Sequence, residues 1–332
     1  MNHNPDNPDC DINIRRYHGV GAFLTGQEPD MTLDSTPPRI GFLGFGEAAR
    51  LLAAGLRANG YTGELLGYSR RGAKAQPGDP VTEKAAASGV KLVRTVAALA
   101  KGSDIVLGLT PGKNALPALK KILKHLRADQ LYVDASSNSA KAMEQAAALV
   151  GDKARFVDAA ILAPVDLQGL ASPFVASGPH AAEFRDRMTP HGLHIRVVGS
   201  AAGDASAMKL IRSTFTKSLA AILIECMEAA RRRDILDTMA GDIAKTFSEI
   251  PFDKVIKRYI SGTAVHCERR LHEMHDCLGL LDSMGSANRS TKATIAMLRE
   301  LIRMEMPLKF PKEPDSIHPV LDAIIAARDS GR

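Results

Sequence analysis

Residues 40–56, "IGFLGFGEAARLLAAGL", set Gly41, Gly44 and Gly46 close together and follow them with a run of alanines and leucines. The apolar start predicts a buried strand, and the alanine- and leucine-rich part predicts a helix running to Asn59 and closed by Gly60. Between them Gly44, Gly46 and Ala49 spell G-x-G-x-x-A. In a strand–turn–helix of this kind the first glycine makes the tight turn and the second lets backbone approach a pyrophosphate. The third small residue lets helix and strand pack closely. The amides of Phe45, Gly46, Glu47 and Ala48 would then face the phosphates, with the positive end of the helix dipole behind them. A tight turn with no ligand would show the same small residues. The βαβ context that follows favours a dinucleotide.

Outward from this loop, short apolar runs alternate with helical stretches: "LLGYS", a helix to Ser88 closed by Gly89, "KLVRT", "DIVLGLT", "LYVDASS" and "RFVDAAIL". That alternation predicts a parallel sheet covered on both faces. After about residue 200 the character changes to long helical segments near 204–234, 235–248, 253–260, 264–283, 288–304 and 317–328. The fold class expected is an α/β Rossmann-type dinucleotide-binding domain over residues 39–200, followed by an all-α domain over 201–332 that begins with a long interdomain helix. Residues 1–38, rich in Asn, Asp, Pro and Gly, read as a disordered arm.

The 332 residues are 45% hydrophobic and 24% charged, ample for a large core divided between two domains. Cys10, Cys226, Cys267 and Cys277 lack paired spacing, which indicates neither a disulfide framework nor a metal knuckle and suits a reducing compartment. With no long uncharged apolar run and no secretory signal pattern, a cytoplasmic protein that neither spans nor anchors to a membrane is expected. The formal charge of +6 is dispersed and aromatics make up 5%, so no stacking platform for nucleic acid is evident.

The second strand ends in "GYSRRG", where Ser69, Arg70 and Arg71 stand in place of the acid that would accept from a bare ribose. Two guanidiniums and a hydroxyl suit a 2′-phosphate, so NADP(H) is expected in preference to NAD(H). An exposed arginine pair in a turn would read the same way.

These residues resemble the β-hydroxyacid dehydrogenases, including 3-hydroxyisobutyrate dehydrogenase and the NAD-binding domain of 6-phosphogluconate dehydrogenase. The resemblance rests on "IGFLGFGEAA", on "DIVLGLTP" with Thr110 and Pro111 at its end, on "VDASSNS", on "ASGPHAAEF" and on "GDASAMKLIRS". It implies that Thr110 and Pro111 border the cofactor and that Lys209 is the catalytic lysine on the interdomain helix. "HCERRLHEM", from His266 to Met274, is similar to the helical domain of an uncharacterised branch of these reductases, in which an Arg-Arg-x-x-Glu-Met run recurs. The resemblance further implies a homodimer built through the helical domain. Two departures stand out. Where the family holds a substrate carboxylate on Asp-Ala-Pro-Val-Ser-Gly-Gly, this chain reads "DAAILAP" from Asp158 to Pro164, and Arg212 and Ser213 replace the family's asparagines. Leu162 brings no hydroxyl and Pro164 no N–H.

On a helix Lys209, Arg212, Ser213 and Lys217 form one polar stripe, opposite Ile211, Phe215, Leu219 and Ile222. Standing alone this would be a solvated face. Placed by the resemblance beside a nicotinamide, it becomes an active-site wall, with Lys209 as general acid and base and Ser213 bonding the reacting oxygen or the lysine. Arg212 supplies the substrate anchor that the altered loop lacks. Burial and the cations Arg212 and Lys217 would lower the lysine pKa. Ser136 and Ser137 end the fifth strand on the edge where ligands collect, as substrate contacts or as part of a helix cap; Ser139 is the capping candidate. The histidines and cysteines of "HCERRLHEMHDC" lack metal-site spacing, and no metal is expected. The sequence thus predicts an oxidoreductase moving hydride between NADP(H) and a secondary alcohol or ketone with a neighbouring polar group, of β-hydroxy acid or β-hydroxy carbonyl type. An imine reductase-like enzyme and a non-catalytic NADP(H)-binding regulator are the alternatives; the first usually lacks the lysine, and the second would gain nothing from it.

Overall fold

The computed structural model describes residues 36–331. The expected N-terminal arm, but for its last three residues, lies outside that range. Eight strands form one sheet: β1 (Ile40–Leu43), β2 (Leu65–Tyr68), β3 (Lys91–Leu92), β4 (Ile105–Gly108), β5 (Leu131–Asp134), β6 (Arg155–Ile161), β7 (Phe174–Ser177) and β8 (Ile195–Gly199). Their order is β3-β2-β1-β4-β5-β6-β7-β8, so the chain reverses its winding between β1 and β4. Ligands of such sheets collect in the crevice at the strands' carboxyl ends beside that reversal.

The six strands read from the sequence pair in parallel as expected, and two further strands, β7 and β8, extend the sheet, with β7 antiparallel to β6 and Ala159 opposite Ala176. The link between them, residues 162–173, holds only one helical turn and one 3-10 turn. It returns to the same edge without the full crossover helix that parallel pairing needs. "KLVRT" also contributes only the two-residue β3.

Between the strands lie α1 (Glu47–Ala58), α2 (Pro80–Ala87), α3 (Val96–Lys101), α4 (Gly112–Ile122), α5 (Ala140–Val150), the single turn α6 (Val165–Gln168) and α7 (Ala181–Met188). Alternation along the strands divides the core. Ile40, Phe42, Leu131 and Val133 pack with Leu52, Leu56 and Phe184 on one face. Leu43, Val106, Tyr132 and Phe156 pack with Leu99, Ile122, Met143 and Val150 on the other. Gly60 and Gly89 take left-handed conformations just past α1 and α2, as capping requires.

The remainder is helical: α8 (Asp204–Arg232), α9 (Leu236–Glu249), α10 (Phe252–Ser283), α11 (Arg289–Arg303), the single turn α12 (Met306–Lys309) and α13 (His318–Asp329). The two segments expected at 253–260 and 264–283 are one helix, α10, broken locally at His266 (φ −114°, ψ 20°). Its core joins Ala264 and Cys267 to Leu298, Leu301, Met304, Met306 and Val320.

A buried carboxylate ties α8 to the sheet. Asp158 on β6 accepts hydrogen bonds from the Gly203 and Ser206 amides (2.9 and 3.0 Å), the Ser206 hydroxyl (2.7 Å) and the Ser177 hydroxyl (3.1 Å). Its charge therefore sits at the positive end of a 29-residue helix. Among the described residues no helix is long and apolar enough to cross a membrane.

Candidate functional site

Gly44 and Gly46 are glycines for different reasons. Gly44 has φ +104°, and a Cβ there would lie 2.8 Å from the Leu109 carbonyl oxygen, so the fold itself demands glycine. Gly46, the N-cap of α1, has φ −106°, and a Cβ there would meet nothing within 4 Å. Neither backbone conformation nor packing requires glycine at that point, yet the bare backbone borders an open cleft of about 300 Å³ at the carboxyl ends of β1 and β4. That is the position at which a phosphate needs to approach the chain, so the residues present fit a dinucleotide.

Of the residues expected around the cofactor, Gly44, Phe45, Gly46, Ser69, Arg70, Thr110 and Pro111 line this cleft. Glu47, Ala48, Ala49 and Arg71 do not; Ala49 is buried against the sheet, and Arg71 is exposed beside the 3-10 turn. The Ser69 hydroxyl accepts from the Gly72 amide at 2.9 Å and so builds the turn that carries the arginines. No acidic residue lines the cleft. One wall escaped the sequence reading: Asn114, Pro117, Ala118 and Lys121 of α4, on one helical face, bring a second cation into the space that holds Arg70. Their spacing after "TP" was the available signal, obscured because Pro117 interrupts the helical pattern.

The second constellation lies where α8 passes the end of β5. Lys209 Nζ donates to Ser137 Oγ at 2.7 Å, joining residues 72 positions apart. Burial is the larger cause that pushes the Lys209 pKa below the ordinary lysine value, and the charge of Lys217 adds to it. Arg212, expected to contribute to the same effect, does not, and its guanidinium donates to the Leu162 carbonyl. It thereby braces the loop whose altered sequence removed a hydroxyl and an amide. Ser213 is half-buried one turn beyond Lys209.

The neighbouring serines divide. Ser137 is exposed at the site, whereas Ser136 is buried, its amide donating to Asp134 Oδ1 at 3.0 Å. Ser139 caps α5, accepting from the Ala142 amide at 3.2 Å. The apolar side of α8 stands open: Ile211 is 70% exposed and Phe215 and Ile222 are each 50% exposed. In α10, His266 occupies the helix break, Cys267 is buried, and His275 Nε2 lies 3.3 Å from Arg299. Among the described residues no three His, Cys, Asp or Glu side chains gather as a metal site.

Comparison with known proteins finds two separate matches along the chain. Residues 39–138 match the family model described as "NADP oxidoreductase coenzyme F420-dependent", and residues 230–301 match a domain of unknown function, DUF1932. An uncharacterised 28.5 kDa protein of Methanothermus fervidus is 30% identical over 238 residues, spanning 71% of this chain and 88% of that protein. A solved protein of unknown function, described as structurally similar to 3-hydroxyacid dehydrogenases, is 28% identical with TM-score 0.54, covering 81% of this chain and 98% of its own. A conserved hypothetical protein from Sinorhizobium meliloti is 26% identical with TM-score 0.55, over 88% of this chain and 96% of its own. An imine reductase from Myxococcus stipitatus shares the fold at 20% identity and TM-score 0.66, over 86% of this chain and 99% of its own.

Proposed function

Starting from a chain that belongs to the β-hydroxyacid dehydrogenase-like superfamily, in the branch whose helical domain is DUF1932, we propose an NADP(H)-dependent oxidoreductase in which Lys209 is the general acid and base. The substrate is a secondary alcohol or its ketone with a polar group on the neighbouring carbon. The observation that carries this reading is the 2.7 Å bond from Lys209 to Ser137, which aims a half-buried lysine at the sheet edge where ligands collect.

NADP(H), when bound, gives or takes the hydride at its nicotinamide. The glycine loop holds its phosphates against backbone amides, and Arg70 with Lys121 supplies cations for the 2′-phosphate in a cleft that offers no acid to a bare ribose. In the oxidative direction the neutral amine of Lys209 takes the hydroxyl proton of the substrate; in reduction its ammonium returns that proton to the forming alkoxide. The lowered pKa is what makes a lysine serviceable as a base nearer neutrality. Ser137 holds the amine in place and offers a hydroxyl to the same oxygen. Ser213 stands beside it on the helix. Arg212 uses one N–H on Leu162 and keeps others for the neighbouring polar group of the substrate.

The uncovered apolar side of α8 favours a homodimer, because large exposed aliphatic faces on a long helix are ordinarily buried against a partner. The test is NADPH absorbance over 3-hydroxy acids, neutral β-hydroxy carbonyl compounds and cyclic imines, with Lys209→Ala alongside. Turnover of a hydroxy compound that falls at least a hundredfold in the variant supports the reading. Turnover of imines alone, indifferent to Lys209, would replace it with an imine reductase, and tight NADPH binding with no turnover at all would favour the regulator.

A further inference from the structure

We propose that the helical domain holds a second small-molecule site, independent of the glycine-loop cleft, for an organic carboxylate with an apolar body. The site is a cleft of about 890 Å³ between α10, α11 and α13, within the size range of ligand pockets. Its floor is apolar and well ordered by packing: Ala264, Leu298, Leu301 and Val320 are all buried. Its rim is basic. Arg258, Arg269, Arg270 and Arg328 border it against a single acid, Glu273.

The four arginines are not equivalent. Arg328 is compensated by Glu300, 2.9 Å away. Arg270 is fixed in place: one of its N–H groups donates to the Thr263 hydroxyl, which donates in turn to the Tyr259 carbonyl. Gly262 makes room for this arrangement, since a Cβ there would lie 3.2 Å from Arg270 Nη2 and 2.9 Å from Glu313 Oε1. The break at His266 lies between Thr263 and the Arg269–Arg270 pair, so the wall bends between Arg258 and that pair. Arg258 and Arg269 are exposed on the rim.

An apolar trough with arginine forks at its edge matches a molecule that buries hydrocarbon and presents a carboxylate. The hydrocarbon contributes about 25 cal/mol per Å² removed from water. The guanidiniums match the planar anion in bidentate geometry, which an ammonium or an alcohol cannot reproduce. Every residue of the cleft lies between positions 258 and 328, so it shares none with the glycine-loop cleft or with the Lys209–Ser137 pair.

The test is calorimetric titration of the full-length protein with octanoate, octan-1-ol and octylamine, with and without saturating NADPH. Saturable binding of one octanoate per chain, at least tenfold tighter than octan-1-ol and without comparable octylamine binding, is the expected result. Arg269→Ala and Arg258→Ala should each weaken octanoate roughly tenfold, the increment expected for one charge-assisted contact. The same variants should keep the NADPH affinity and melting temperature of the parent. Equal affinity for the alcohol, unchanged affinity in both variants, or absence of octanoate binding because a second copy covers the cleft would each overturn the proposal.

Discussion

Gly46 offers a sharper test of cofactor binding than any charged group, because the structure gives no internal reason for it. Gly46→Ala should melt with the parent, since its Cβ meets open space, yet bind NADPH at least tenfold more weakly in calorimetry. Gly44→Ala should behave differently, losing about 1–3 kcal/mol of stability from strain at φ +104° and contact with the Leu109 carbonyl. Lys209 carries the pH dependence. Its amine acts as a base only when unprotonated, so the oxidation rate should rise with pH through a Lys209 pKa that burial and Lys217 hold below the ordinary lysine value. Lys217→Gln removes a like charge and should move that rising limb to higher pH without changing its shape. A limb that stays in place would detach the lysine from the rate. Much of this was legible in the chain: the glycine loop and the lysine stripe are local patterns. The partnership of Lys209 with Ser137 was not, because the two are far apart in sequence and meet only where α8 crosses the end of β5.

At the scale of elements, the first turn of α8 is where the two halves of the chain are joined. Asp158→Ala removes the acceptor of four hydrogen bonds in a fully buried setting and leaves donors of Gly203 and Ser206 unpaired. The expected cost is about 3 kcal/mol or more in denaturant unfolding. Asp158→Asn should recover part of it by keeping an acceptor oxygen. Farther along the same face of the sheet, α4 presents Lys121 to the cleft that also contains Arg70. Lys121→Ala and Arg70→Ala should each lower affinity for NADPH about tenfold and leave NADH nearly unchanged, a difference that calorimetry with the two cofactors reads directly. The sequence reading found Arg70 because it ends a strand, and missed Lys121 because its helix contains Pro117 and its relation to the cleft is tertiary.

For the whole molecule, the exposed face of α8 is the feature a single chain leaves unfinished. Leu210, Ile211, Phe215, Ile222 and Ile224 are all exposed along α8, with Ile211, Phe215 and Ile222 on the side opposite the Lys209 stripe. Light scattering should report a dimer, and Phe215→Asp with Ile222→Asp should convert it to a monomer, since charge on a buried apolar interface is strongly disfavoured. A variant that remains dimeric would place the interface elsewhere.

The sequence by itself determined the local and periodic parts of this protein. It specified the strand–glycine–helix unit, the basic end of β2, the helical second half and the lysine stripe, because each is written in spacings of one to eight residues. Only the tertiary structure decided what long separations hide. Those are the antiparallel turn of β7, the continuity of α10 through its break at His266, the burial of Ser136 beside the exposure of Ser137, and the direction of Arg212 toward Leu162. In each of these the outcome depends on which distant backbone or side chain competes for the same hydrogen bond or the same space, and no local pattern in the chain carries that information.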